Sequence, residues 1–92
     1  MNIEILRRKI VSGHYELTQH AKDEAADDGF DVEDVEAIVL TGKITKTLTK
    51  DDRGRRYAVK GLSKNKKDAE VICRILPSGK MRVITIYSIK QL

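Results

Sequence analysis

The chain of 92 residues has room for one domain, predicted to span residues 1–92, and none for a separate cofactor domain. No apolar run approaches the roughly 20 residues that span a bilayer, and Arg7, Arg8 and Lys9 interrupt any secretory signal, so we expect a cytoplasmic protein without a membrane partner. The single cysteine excludes an internal disulfide and a multi-cysteine zinc site.

The formal charge of +4 is the sum of two unlike halves. Residues 1–42 hold four Lys/Arg and ten Asp/Glu, a net charge of −6, whereas residues 43–92 hold fourteen and four, a net charge of +10. Because local charge sets the field at a surface, the second half is predicted to attract a polyanion such as RNA. The alternative is a set of solvated lysines in turns.

Three helices are predicted in the first 42 residues, from apolar stripes at helical spacing between capping residues and glycine stops. They cover residues 2–12, 18–28 and 31–42, with Thr18 and Asp31 as N-caps and Gly13, Gly29 and Gly42 at the ends.

After Gly42 the apolar period changes to two, which predicts four strands at 43–49, 55–62, 68–76 and 80–88. The turns between them, at 51–54, 64–67 and 77–79, are too short for crossover helices, so the strands form an antiparallel meander. The predicted fold class is α+β, with about three N-terminal helices packed on one face of a four-stranded antiparallel sheet.

Alternation divides the strand residues between two faces. The predicted core face is apolar apart from Lys46 and holds Ile44, Leu48, Tyr57, Val59, Val71, Cys73, Ile75, Met81, Val83 and Tyr87. The opposite face combines Arg56, Lys60, Arg74 and Arg82 with Ala58, Ile72, Leu76, Ile84 and Ile86. This mixture is typical of a binding surface. The alternative is that the third helix or a dimer partner covers its apolar members.

Five short blocks resemble the small prokaryotic domain-of-unknown-function family 4258 (DUF4258) over roughly residues 13–88. They are Tyr15-Glu16-Leu17-Thr18-Gln19-His20-Ala21, Gly29-Phe30-x-Val32-x-Asp34-Val35, Gly42-Lys43-Ile44, Gly54 to Gly61 and Val83 to Tyr87. The resemblance implies a fold similar to the RelE, ParE and BrnT ribonuclease toxins. It also implies RNA as a partner, ribosome association as one form of that contact, and a neutralising antitoxin protein.

The sequence departs from the family pattern at two positions. Family members often carry arginine four residues after the histidine and immediately before the glycine, where this chain has Glu24 and Asp28. Carboxylates repel phosphate. Either the two positions are peripheral to the site, or this member is weakened as a nuclease.

Metal-independent RNA cleavage needs a base for the 2′-hydroxyl proton, an acid for the leaving oxygen and cations around the phosphate. His20 is the candidate base or acid because imidazole exchanges protons near neutral pH, and its alternative role is structural hydrogen bonding. Arg56 and Arg82 complete the candidate catalytic set, because guanidinium binds phosphate in a bidentate manner. Arg56, Lys60, Arg74 and Arg82 form the candidate nucleic-acid-binding set.

Other chemistries fit the sequence less well. His20 and Glu24 share a helix face but lack a third ligand, so neither a metal nor another cofactor is predicted. Cys73 is predicted to be an inert buried thiol. Tyr57 and Tyr87 are candidates for base stacking, but alternation favours core packing for both.

The leading hypothesis is a small RNA-interacting domain that acts as a toxin-like endoribonuclease. The alternative is a non-catalytic module that binds nucleic acid or protein through the same face, and Glu24 and Asp28 favour it. In the leading hypothesis, an acidic amphipathic antitoxin segment would cover Ile72, Ile84 and Ile86.

Overall fold

The computed structural model describes residues 1–49, 52 and 54–89, so part of the predicted turn at 51–54 lies outside the described residues. Its helices are α1 (Ile3–Val11), α2 (Gln19–Asp27) and α3 (Val32–Thr41), and its strands are β1 (Tyr15–Leu17), β2 (Lys43–Leu48), β3 (Arg56–Leu62), β4 (Asp68–Ile75) and β5 (Met81–Ser88). Each predicted helix and strand begins and ends within about one residue of its observed bounds.

The helix ends are set by local hydrogen bonds. Thr18 Oγ1 accepts from Ala21 N at 3.1 Å and caps α2. Asp31 and Asp34 form a capping box at α3, in which each carboxylate accepts from the backbone N–H of the other, at 2.9 and 3.0 Å. Gly29, with φ of +73°, ends α2 in the left-handed conformation that glycine adopts without strain.

The sheet has five strands in the order β1-β5-β4-β3-β2. Strands β2 to β5 form the predicted antiparallel meander, but β1 adds a parallel pair with β5, so the prediction of a purely antiparallel four-stranded sheet is wrong. Three residues are too few to show alternation, and the partner of β1 lies 66 residues further along the chain. The sequence therefore contains no local pattern that predicts β1 or its pairing with β5.

The helices cover one face of this sheet, where α2 packs along β5, α3 packs on β3 and β4, and α1 packs on α3. Most residues that alternation placed inward lie in the core, which confirms the predicted core face. They are Tyr57, Val59, Val71, Cys73, Met81 and Val83. The helices contribute Leu6, Ile10, Ala21, Ala25, Val35, Ile38 and Val39 to the same core.

A β-bulge in β5 reverses the alternation near its end. Cys73 pairs with Val83, but Ile72 pairs with Thr85, so Ile84 is the extra residue. Ile86 is consequently fully buried under the helices, although it was predicted to be exposed. Tyr87, which was predicted to pack in the core, lies on the opposite face with 38% of its surface exposed.

A second bulge reverses the alternation in β2. Ile44 pairs with Val59 on the core face, but Lys46 pairs with Ala58, because Thr45 is the extra residue. Leu48, which was predicted to face the core, therefore pairs with Arg56 on the other face, and Lys46 also leaves the core face.

Candidate nucleic-acid interface

The open face of the sheet, the face that lies away from the helices, carries basic side chains on four strands. They are Lys43 and Lys46 on β2, Arg56 and Lys60 on β3, Arg74 on β4 and Arg82 on β5. The fold thus brings the predicted binding residues Arg56, Lys60, Arg74 and Arg82 to one face. It also adds the two lysines of the edge strand.

Three of these cations form the arginine row, which we define as Arg56, Arg74 and Arg82. Arg74 and Arg82 are directly paired across β4 and β5. Tyr57 pairs with Cys73 across β3 and β4, and Arg56 precedes Tyr57 whereas Arg74 follows Cys73, so the two arginines lie at the same end of these antiparallel strands. Because neighbouring strands lie about 5 Å apart, the row crosses three strands at one end of the sheet.

The row extends to a carboxylate on β1. Glu16 is paired in register with Arg82, and its Oε2 lies 3.0 Å from Arg82 Nε. Its Oε1 lies 3.6 Å from Lys80 Nζ. No local sequence pattern marks Glu16 as a site residue, because its position beside Arg82 depends on the parallel β1–β5 pair.

A cavity of about 170 Å³ lies between the arginine row and the start of α2, and it is lined by Thr18, Arg74, Leu76, Arg82 and Ile84. Arg74 is buried, with 8% of its surface exposed, whereas 41% of the Arg82 side chain is exposed. Thr18 Oγ1 donates to the carbonyl of Ile84, the bulged residue, at 3.2 Å. The bulge and the helix cap therefore form one wall of the cavity.

His20 lies in the first turn of α2, two residues after Thr18. Its side chain is 66% exposed, and its Nε2 lies 3.0 Å from Glu24 Oε1 along the same helix. The imidazole thus has a carboxylate partner and access to solvent, but it is not among the residues that line the cavity.

The predicted catalytic residues are only partly brought together. Arg82 adjoins the start of α2, where His20 lies. Arg56 is two strands away and lines a separate shallow pocket with Thr47, Leu48 and Thr49.

Glu24 and Asp28, the two departures from the family pattern, bind the backbone of β5 beyond the end of β1. Glu24 Oε1 accepts from Ile86 N at 3.3 Å, and Asp28 Oδ2 accepts from Ser88 N at 2.8 Å. These N–H groups lie on the edge of β5 that the short β1 leaves open. The carboxylates therefore close an exposed strand edge, which is a structural role.

Tyr87 and Glu70 occupy the other end of the open face. They are paired across β4 and β5, and Tyr87 Oη donates to Glu70 Oε2. This hydrogen bond, together with burial, raises the pKa of Tyr87 to about 12. The phenol therefore remains protonated at neutral pH, and its partly exposed ring faces the same side as Lys60.

Among residues 1–49, 52 and 54–89, no group of three or more His, Cys, Asp or Glu side chains is placed to hold a metal ion. In the same residues, every helix is too short or too polar to cross a membrane.

The model of the family described as "Domain of unknown function (DUF4258)" matches residues 17–88, which span α2, α3 and strands β2 to β5. No curated protein and no solved structure matches the chain. The expected similarity to RelE-type toxins therefore stays a prediction.

Proposed function

Because this chain belongs to the DUF4258 family, whose description assigns no activity, we propose its function from the open face: it binds single-stranded RNA there. The observation that carries this proposal is the arginine row, in which Arg74 is held at 8% exposure directly opposite Arg82. Guanidinium groups bind phosphate oxygens in a bidentate manner, and cations supply most of the affinity for a nucleic-acid backbone.

The exposed ring of Tyr87 supports single-stranded RNA over a duplex. Proteins that bind single strands on a sheet stack unpaired bases on aromatic side chains, and such stacking tolerates any base. Tyr87 is the aromatic side chain that the bulge in β5 turns to the open face. Lys60 lies on the same row of cross-strand pairs, through Glu70.

The salt dependence of binding tests this proposal. Four phosphate contacts, through Arg56, Lys60, Arg74 and Arg82, predict a log–log salt slope near −3, at about −0.7 per contact. Lys60→Gln should reduce the slope by about 0.7, measured by fluorescence anisotropy with a labelled oligonucleotide.

Lys22→Gln is the matched control, because Lys22 is an exposed lysine on α2 and its replacement removes the same charge away from the open face. Its slope should equal that of the wild type. Absence of binding at about 50 mM salt, or equal slopes for Lys60→Gln and the wild type, would contradict the proposal.

RNA cleavage is a second candidate function, and the His20–Glu24 pair favours it. A carboxylate 3.0 Å from Nε2 orients the imidazole and leaves its other nitrogen to exchange a proton with RNA. His20 lies in the first turn of α2, whose N-cap Thr18 lines the same cavity as Arg82, the proposed ligand for the phosphate under attack. In this function the protein is a toxin-like, metal-independent endoribonuclease.

Expression of the protein in bacteria separates the two functions. An active nuclease should arrest growth, and His20→Ala should relieve the arrest and lower cleavage in vitro by about 10²- to 10⁴-fold. His14→Ala removes the other, exposed histidine and should retain activity. RNA binding without cleavage or growth arrest would leave the non-catalytic module as the function.

A neutralising partner belongs to the nuclease hypothesis. An acidic amphipathic segment of an antitoxin would complement the charge of the open face and cover its apolar side chains. Ile86 cannot contribute to this contact because it is buried in the core. Ile72 and Ile84, which are half-buried on the open face, remain as the apolar contacts.

A further inference from the structure

The cavity beside the arginine row places two like charges at one of its walls. Arg74 and Arg82 are directly opposite each other on antiparallel strands, where like charges repel. The side chains Leu76 and Ile84 also line the cavity, and apolar walls strengthen electrostatic interactions because they exclude water. An anion held between the two guanidinium groups would contact both of them.

The start of α2 adds a second, independent attraction for an anion. Its N-cap residue, Thr18, lines the same cavity, and the helix is nine residues long. The N-terminal end of a helix carries a partial positive charge that attracts an anion nearby. The hydrogen bond from Thr18 to the carbonyl of Ile84 holds this helix end against the sheet.

The size of the cavity and its donors favour a terminal phosphate. A volume of about 170 Å³ accommodates one small group and not a nucleotide with its neighbours. A terminal monoester carries about −1.5 to −2 charges and three free oxygens. A bridging diester carries one charge and continues into ribose on both sides. Two guanidinium groups and a helix N-terminus match the monoester better.

Glu16 shows that Arg82 binds an oxyanion, although the Glu16 carboxylate lies beside the cavity and does not line it. Its carboxylate contacts Arg82 at 3.0 Å and Lys80 at 3.6 Å, and the side chains of Glu16 and Arg82 are 35% and 41% exposed. Ion pairs with this exposure contribute little to stability, so a phosphate with more charge can displace the carboxylate. Glu16 is then an internal competitor for Arg82.

We infer that the cavity lined by Thr18, Arg74, Leu76, Arg82 and Ile84 binds the terminal phosphate of a single-stranded RNA, with Glu16 as its competitor for Arg82. This inference rests on the proposed RNA binding and names the class of RNA that is preferred. The protein selects strands that end in a phosphate over strands that end in a hydroxyl.

The test compares one RNA oligonucleotide in three forms, with hydroxyl groups at both ends, with a 5′-phosphate, or with a 3′-phosphate. One phosphorylated form should bind about tenfold more tightly than the hydroxyl form, in anisotropy titrations at constant salt. Arg82→Gln should abolish this preference. Lys60→Gln, at the other end of the open face, should lower affinity for all three forms alike and keep the preference.

Glu16→Gln tests the same inference because it should strengthen binding of the phosphorylated RNA, whereas misfolding would weaken binding. It should increase the preference for the phosphorylated form by about threefold to fivefold, whereas a general charge effect would raise all affinities equally. Salt-dependent binding with equal affinity for the three forms would overturn the inference and leave the proposed RNA binding intact. Failure of all three forms to bind would overturn both.

Discussion

Cys73 illustrates how the position of one residue determines its chemistry. The thiol lies fully buried in β4 within the core, as alternation predicted. Burial raises its pKa to about 12 from the ordinary value of 9.0, because the thiolate would lose its hydration. Thiolate is the reactive form, so the fold makes this residue a packing group and not a nucleophile.

Thiol labelling therefore provides a residue-scale prediction. Compared with a thiol of the ordinary pKa of 9.0, a pKa of about 12 lowers the thiolate fraction at neutral pH by about three orders of magnitude. Burial also blocks access of the reagent. We expect an aromatic disulfide reagent at neutral pH to leave Cys73 unmodified in the native protein and to modify it fully in urea. Rapid labelling of the native protein would contradict the buried placement.

At the scale of secondary structure, α2 completes the sheet that β1 begins. Strand β1 pairs with Met81 to Val83, and Thr18 continues the contact to Ile84. Beyond that point the carboxylates of Glu24 and Asp28 accept the N–H groups of Ile86 and Ser88. A short strand and a helix together provide hydrogen-bond partners along one long edge of β5, which protects this strand from pairing with other chains.

Asp28→Ala tests this edge. The substitution leaves the Ser88 N–H, which is only partly exposed, without its acceptor, so we expect a loss of about 1 to 2 kcal/mol in the free energy of unfolding. Urea denaturation followed by circular dichroism measures the change.

Asp27→Ala is the matched control, because Asp27 is exposed and lies one residue earlier on the same helix. Its unfolding free energy should lie within about 0.5 kcal/mol of the wild type. Equal stability of the two variants would show that the Asp28 contact does not hold α2 to β5.

At the scale of the whole molecule, the acidic first half and the basic second half of the chain form different layers. The three helices come from residues 3–41, within the half with net charge −6, whereas the open face is built mainly from residues after 42. The proposed RNA binding therefore predicts attraction of RNA to the sheet side and repulsion from the helical side, since the field follows local charge. The salt slope should therefore respond to Lys60 on the open face and not to Lys22 on a helix, although both substitutions change the net charge equally.

The sequence predicted those features of the fold that depend on residues close together in the chain. Caps at Thr18 and Asp31 and the alternation through Val71 and Cys73 are local patterns, because each reflects hydrogen bonds or side-chain directions within a few residues. They were sufficient to predict the three helices, the four meander strands and the position of the basic face.

Tertiary structure alone decided the remaining features. Bulges at Thr45 and Ile84 reverse alternation without changing composition, and they move Lys46 and Tyr87 to the open face and Ile86 to the core. Pairing of β1 with β5 joins Glu16 to Arg82 across 66 residues of chain, which no local pattern encodes. The cavity is also tertiary, because its walls come from the start of a helix and two strands that meet only after the sheet has formed.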